Sequence, residues 1–357
     1  MKKSIEIAVL AFSITTLIIK QVTYCAESVS MKACGVMINA IAIDPGRPEV
    51  IYTLTPPETS GNSVYRSTDG CDKWNAVDEP FSESSGLFLV IDPKNSQIIY
   101  TSRRKSIDGG RTWSIIDYVQ GRTSIVSSKF IIHPHKSEIL YSLANNGTIY
   151  KSINGGASWT IIGDEQLGEC KAFALDTNNP NVLYGQYERK SKDVYRREPN
   201  ILGGIYKSVD GGITWKLQLS SSGIRELIVD PTNSEIIYAV NIQNGVYSSL
   251  NGGKQWNGIN RGLPERTRVY VLAIDPLNTE KIYAATDRGI FVSEDRGDNW
   301  RSCNAGLPNT VSMLAINPQN SAIIYAGTPY NGVFKTTDGG ATWNPVNKGL
   351  PSLPDCK

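Results

Sequence analysis

Seven stretches of this chain share one pattern of apolar and polar positions: a short apolar run, a cluster of turn-forming residues, and a second apolar run that closes on tyrosine. The copies are AIDPGRPEVIYTL (42–54), VIDPKNSQIIYTS (90–102), IHPHKSEILYSL (132–143), ALDTNNPNVLYGQ (174–186), IVDPTNSEIIYAV (228–240), AIDPLNTEKIYAA (273–285) and AINPQNSAIIYAG (315–327). Brief apolar runs bounded by Asp, Asn, Pro and Ser predict two antiparallel strands joined by a tight turn. A third run follows each tyrosine, as in NGVYSS (244–249), GIFVSE (289–294) and NGVFKT (331–336). A fourth follows a second repeated phrase. Each unit therefore reads as four short antiparallel strands, with no helical period.

The second phrase is an octapeptide: STDGCDKW (67–74), SIDGGRTW (106–113), SINGGASW (152–159), SVDGGITW (208–215), SLNGGKQW (249–256), SEDRGDNW (293–300) and TTDGGATW (336–343). All seven tryptophans of the chain, Trp74, Trp113, Trp159, Trp215, Trp256, Trp300 and Trp343, end these copies, so their first role is structural. The aspartate or asparagine is expected to accept hydrogen bonds from backbone N–H groups of its own turn. Glycine is expected to supply a positive φ, and tryptophan a large apolar plate over the joint with its own blade or the next. The first copy departs from the pattern, with Cys71 in a glycine place, which predicts a strained or differently shaped turn.

Successive tryptophans lie 39, 46, 56, 41, 44 and 43 residues apart, the period of a four-stranded propeller blade. The first strands explain why such units must close on one another. Ile43, Ile91, Ile132, Leu175, Val229, Ile274 and Ile316, and two residues earlier Ile41, Leu89, Phe130, Phe173, Leu227, Leu272 and Leu314, make one face large and apolar. The residue between each pair is often alanine, which suits the crowded inner end of a radial array. The expected fold is all-β: a single seven-bladed propeller of four-stranded antiparallel blades over residues 29–357.

Residues 1–28 stand outside that pattern. Two lysines precede an apolar stretch of about fifteen residues broken by Glu6, the build of a secretory signal segment and short for a spanning helix. Cleavage is expected near Ala26 or Ser28. The alternatives are a lipid anchor on Cys25, with Tyr24 disfavouring that reading, and an uncleaved membrane anchor. The expected location is secreted or periplasmic, with membrane contact only through this segment if it is uncleaved or lipidated. Lys and Arg number 36 against 34 Asp and Glu, which argues against nucleic acid as partner.

The octapeptides resemble the Asp-box, or BNR repeat, over essentially the whole mature chain. Together with the preceding hairpin phrase they look most like the propellers of sortilin-type receptors, xyloglucan-cleaving glycoside hydrolases and photosystem II assembly factors. The resemblance implies that the box marks the turn between a blade's third and fourth strands and neither binds nor catalyses. Each box offers one carboxylate or amide, whereas a calcium loop needs several oxygen donors. No metal or cofactor is expected.

Function is sought on the end of the ring opposite the boxes, where the connecting loops vary. The longest loop, 185–204, carries Arg189, Arg196 and Arg197 beside Tyr187 and Tyr195. Lys129, Lys171 and Arg225 begin the first strands of blades three, four and five, with Glu226 and Tyr270 close by. These residues are expected to converge on the channel mouth and hold a protein, peptide or glycan partner, an acidic group in particular. The alternative is a glycoside hydrolase, which needs two carboxylates across a bond. Glu83, Glu165, Glu169, Glu226 and Asp287 are available for that role, but in no motif that pairs them. The xyloglucan-cleaving relatives draw their acids from two facing propellers, and the arginine-isoleucine-proline signature of sialidases is absent. His133 and His135 are the two histidines and share one turn, which disfavours a histidine triad or zinc site. Binding is therefore the main expectation. A Cys34–Cys356 disulfide is one candidate clasp for the ring; apolar packing of blade one on blade seven is the other.

Overall fold

A computed structural model describes residues 36–56, 63–77, 88–116, 118, 126–188 and 203–351. The inner strands run Ala40–Ile43, Leu89–Ile91, Ser127–Ile132, Glu169–Leu175, Ile224–Val229, Val269–Ile274 and Met313–Ile316. Each begins a four-stranded antiparallel sheet whose strands lie side by side in chain order. The outer strands are Asn75–Ala76, Ser114–Ile115, Thr160–Ile162, Lys216–Ser220, Asn257–Gly258, Arg301–Ser302 and Asn344–Pro345. The first inner strand packs on both the second and the seventh, so the seven blades close a β-propeller as the repeats predicted. Among the described residues the one helical turn is Glu165–Leu167.

Burial explains the strand patterns. An inner strand is covered on both faces by neighbouring blades, so Ala40–Ile43 is buried throughout and the run carries no polar alternation. The two-residue outer strands are exposed and need no apolar run.

The polar positions of the repeat stitch one blade to the next. The tyrosine that closes each hairpin is at most 1% exposed. The hydroxyls of Tyr52, Tyr184 and Tyr283 donate to the carbonyls of Gly109, Gly252 and Gly339 in the following blade's box, at 3.3, 3.2 and 3.0 Å. Lys105 and Lys335 lie over Tyr100 and Tyr325 and donate to Gly155 and Gly70 of the next box, each at 2.8 Å. The serine of the hairpin turn bonds the aspartate of the preceding blade: Ser96 to Asp44 at 2.6 Å, Ser137 to Asp92 at 2.7 Å and Ser234 to Asp176 at 2.9 Å.

The seam between blades seven and one uses the same devices, and neither blade borrows a strand from the other. Alongside Lys335, the Trp74 indole N–H donates to Val346 at 2.7 Å, and Gln319 donates to Pro45 at 3.1 Å. One continuous apolar cluster joins Ile38, Ile41 and Leu54 to Met313, Tyr325 and Val333. Cys34 and Cys356 lie outside the described residues. Cys71, Cys170 and Cys303 are buried.

Within each box the first residue is the hub. In blade two Ser106 Oγ accepts the Gly110 N–H at 2.8 Å and donates to Asp108 Oδ1 at 2.8 Å, which also accepts the Thr112 N–H at 2.9 Å. The same pattern recurs from Ser67 to Thr336. These bonds stabilise the ionised carboxyl, so Asp108 and Asp210 are held down at about 2 by their Thr112 and Thr214 partners first. Cys71 adopts φ 76° and Arg296 φ 58° where the pattern has glycine. The left-handed turn is thus kept at the cost of backbone strain.

The tryptophans fall into two groups. Trp113, Trp159, Trp215 and Trp256 donate their indole N–H back to their own box, at Gly110, Gly156, Gly212 and Gly253. Trp300, Trp343 and Trp74 instead donate to the preceding blade, at Ile259, Cys303 and Val346, and are buried. Their partner segments share the phrase N-x-G-L-P (260–264, 304–308, 347–351). The asparagine accepts a backbone N–H of its own third strand, as Asn260 does from Val246 at 2.8 Å. The glycine lies against the next tryptophan's backbone; a Cβ on Gly262 would fall 2.1 Å from the Trp300 carbonyl oxygen.

Candidate functional site

The box N–H groups bond the hairpin turns of their own blades, as Gly70 to Glu49 and Gly252 to Glu235, both at 2.9 Å. Boxes and hairpin turns therefore occupy one end of the ring. At the opposite end lie the connections between second and third strands and the links between blades.

There the sequence candidates separate. The hairpins of blades three to six each carry a register shift on the inner strand, at Ser128 in blade three and then between Cys170 and Ala172, Ile224 and Glu226, and Val269 and Val271. Lys171, Arg225 and Tyr270 are the extra residues the last three bulges leave over. Counted back from the turn, Lys129 is level not with them but with Ala172, Glu226 and Val271, one step deeper.

Depth changes its chemistry. Lys129 is 1% exposed, its Nζ lies 5.7 Å from the centre of the Phe173 ring, and it donates to the Leu227 carbonyl at 3.4 Å. It thus spans from blade three past blade four to blade five. Burial pushes its ammonium down to about 8, and the Glu226 charge partly offsets that. Glu226 is itself fully buried and accepts the Leu272 N–H of blade six at 3.1 Å. Both side chains bond backbone groups on the free edges of inner strands, Lys129 a carbonyl and Glu226 an N–H.

Lys171 is partly exposed and paired with Glu169 at 2.6 Å. Arg225 is exposed and Tyr270 is buried. Arg189, Arg196 and Arg197 lie outside the described residues, as does Glu83. Asp287 accepts the Arg268 N–H at 3.0 Å. The described cations are therefore at different depths instead of forming one cluster at the mouth.

Sequence reasoning passed over a pocket at this end between blades three and four, of about 240 Å³. Asn146, Thr148, Ile161, Ile162, Asp164 and Tyr187 line it, with Gly147, Gly163 and Gly168 in its walls. Tyr187 is 2% exposed and edge-on to Trp215 at 5.2 Å. Its hydroxyl has no hydrogen-bond partner among the described residues. Burial first, with the nearby Cys170 and Asp164 charges, pushes its phenol well above the ordinary range. The signal in the sequence was slight: blade three's link, GDEQLG (163–168), is bracketed by glycines.

Comparisons follow the fold. The family model Sortilin-Vps10, "Sortilin, neurotensin receptor 3,", matches residues 244–353. A xyloglucanase of a Paenibacillus species is 26% identical over 278 residues, covering 74% of this chain and 25% of the relative. Xyloglucanase Xgh74A of Acetivibrio thermocellus is 24% identical over 385 residues, covering 83% and 44%. The chain thus spans less than half the length of these relatives. Among solved structures, an ancestral GH74 enzyme superposes with TM-score 0.59 at 15% identity, covering 94% of this chain and 57% of that one. YCF48 bound to D1 peptide superposes with TM-score 0.58 at 14% identity, covering 90% and 98%. These likenesses establish the fold, a propeller similar to those of all three groups.

Proposed function

We propose that this propeller is a binding module that engages a protein, peptide or glycan through the end of the ring opposite the boxes. The observation that carries this is the difference between the two ends. At the box end the repeated polar groups are engaged in bonds within and between blades, whereas at the other end, the N-x-G-L-P links of blades five to seven apart, the connections differ from blade to blade and a pocket opens between blades three and four. The share of each relative that is matched supports the binding reading: the chain covers nearly all of a YCF48 bound to D1 peptide, but under half of the xyloglucanases. The glycoside hydrolase alternative keeps the support of those relatives' names. Against it, Glu169, Glu226 and Asp287 are engaged in bonds of the fold. The apolar segment over residues 4–19 supports export to the periplasm or beyond, and fractionation of cells carrying the full chain tests that.

Two assays discriminate these readings. Incubation with xyloglucan should release no reducing ends; release would favour the hydrolase. In a pull-down from the exported fraction of the source cells, Lys171→Glu with Arg225→Glu should lose partners that Lys216→Glu with Lys254→Glu, on the outer strand and box turn, retains. Equal loss or equal retention would contradict a face-specific module.

A further inference from the structure

The pocket between blades three and four has a chemistry of its own. Its volume of about 240 Å³ lies below the roughly 300–1,000 Å³ of sites for drug-sized ligands, which limits it to one ring or one side chain. Ile161 and Ile162 give it an apolar wall. Asp164 contributes acceptor oxygens, one of which caps the Gln166 N–H at 2.8 Å. Thr148 carries a hydroxyl, and Asn146, whose Oδ1 accepts the Thr148 N–H at 3.1 Å, has amide hydrogens to donate. Beneath Gly163 lies the Tyr187 hydroxyl, which a Cβ at that position would approach to 3.1 Å. A larger residue would therefore crowd it.

A buried hydroxyl without a partner is costly, and here it stands at the wall of a pocket on the proposed binding face. A carboxylate ligand would meet Asp164. A lysine or arginine side chain could pair with Asp164 but has no acceptor for the amide hydrogens of Asn146 or the hydroxyl of Tyr187. A sugar hydroxyl both donates and accepts, and a pyranose ring has C–H faces that suit isoleucine. We infer that this pocket takes one residue of an uncharged sugar, with the ring against Ile161 and Ile162 and its hydroxyls on Asp164, Thr148 and Tyr187. This rests on the face assignment proposed above and narrows it to a ligand class.

The test uses the folded chain and saturation-transfer NMR with neutral methyl glycosides of glucose, galactose, mannose and xylose at millimolar concentration, beside glucuronate and argininamide. At least one neutral glycoside should bind, with affinity about tenfold weaker in Asp164→Asn and in Tyr187→Phe. Lys254→Ser, on the box turn at the other end of the ring, should leave it unchanged. Tyr187→Phe also separates binding from folding: removing a buried hydroxyl that no described residue bonds should keep or raise the melting temperature while binding falls. The inference is overturned if no neutral glycoside binds, if binding survives both pocket substitutions, or if argininamide or glucuronate binds in their place. Failure of the face assignment looks different, as partner capture that survives charge reversal at Lys171 and Arg225.

Discussion

The box aspartates work as turn braces, and their titration should show it. Asp108 and Asp210, held at about 2, bind no proton in the native state down to well below the ordinary carboxyl range. Their stabilising effect is present above the unfolded value near 3.8 and is lost as pH falls through about 2. Carboxyl-carbon NMR titration should place both midpoints near 2; ordinary values would mean that the Thr112 and Thr214 bonds do not persist in solution. The buried thiols are a second case. Burial pushes Cys303 up to about 12 and Cys71 higher still, so the reactive thiolate is scarce at neutral pH. Mass-mapped alkylation should leave Cys71, Cys170 and Cys303 unmodified in the native protein and modify them in urea. Labelling under native conditions would contradict the packing around them.

At the scale of strands and links, tryptophan position decides what each box supports. Trp300 is buried under the preceding blade's N-x-G-L-P link, so Trp300→Ala should cost about 3–5 kcal/mol in urea unfolding. Gly262→Ala should cost more than about 2 kcal/mol, because its φ of 95° and the overlap with the Trp300 carbonyl both oppose a Cβ. A small change in either would mean that the link does not hold the seam. Trp215→Ala is a different experiment, since that ring packs against Tyr187 of the pocket and is expected to weaken ligand binding as well as the fold. The alternation of apolar runs and turns made the blades legible, and the octapeptides fixed their number, because each local pattern has one satisfactory backbone. The N-x-G-L-P link also stood in the sequence, but its partner lies in another blade, which no local pattern names. Lys129 was misplaced by one step: it stands three residues before the end of its inner strand and Ser128 takes the bulge there, whereas Lys171 and Arg225 stand four before and are themselves the bulged residues. The pocket was least visible, since neighbours from two blades create it.

For the whole ring, the buried Lys129 and Glu226 link blades three, five and six, Lys129 through the Leu227 carbonyl and Glu226 through the Leu272 N–H. Lys129→Ala should destabilise by about 2–5 kcal/mol by emptying the space over Phe173 and losing the Leu227 bond, whereas Lys129→Met with Glu226→Gln, which keeps the volume, should be far milder. The native lysine releases its proton near 8 while the unfolded chain holds it to near 10.5. Between those values the unfolded state binds more protons, so stability should rise with pH. The urea midpoint should climb between about pH 7.5 and about 9.5 in the parent and stay flatter in the double variant; equal slopes would refute the assignment. The closing seam bears on assembly in time. No strand is exchanged between the first and last blades, so blade one leaves the ribosome early and must wait for blade seven before its open flank is covered. Synthesis at about 5–20 residues per second makes that interval tens of seconds, during which Ile38, Ile41 and Leu54 face solvent or a chaperone. The flank that completes the ring last is therefore the one most open to misassembly with another nascent chain.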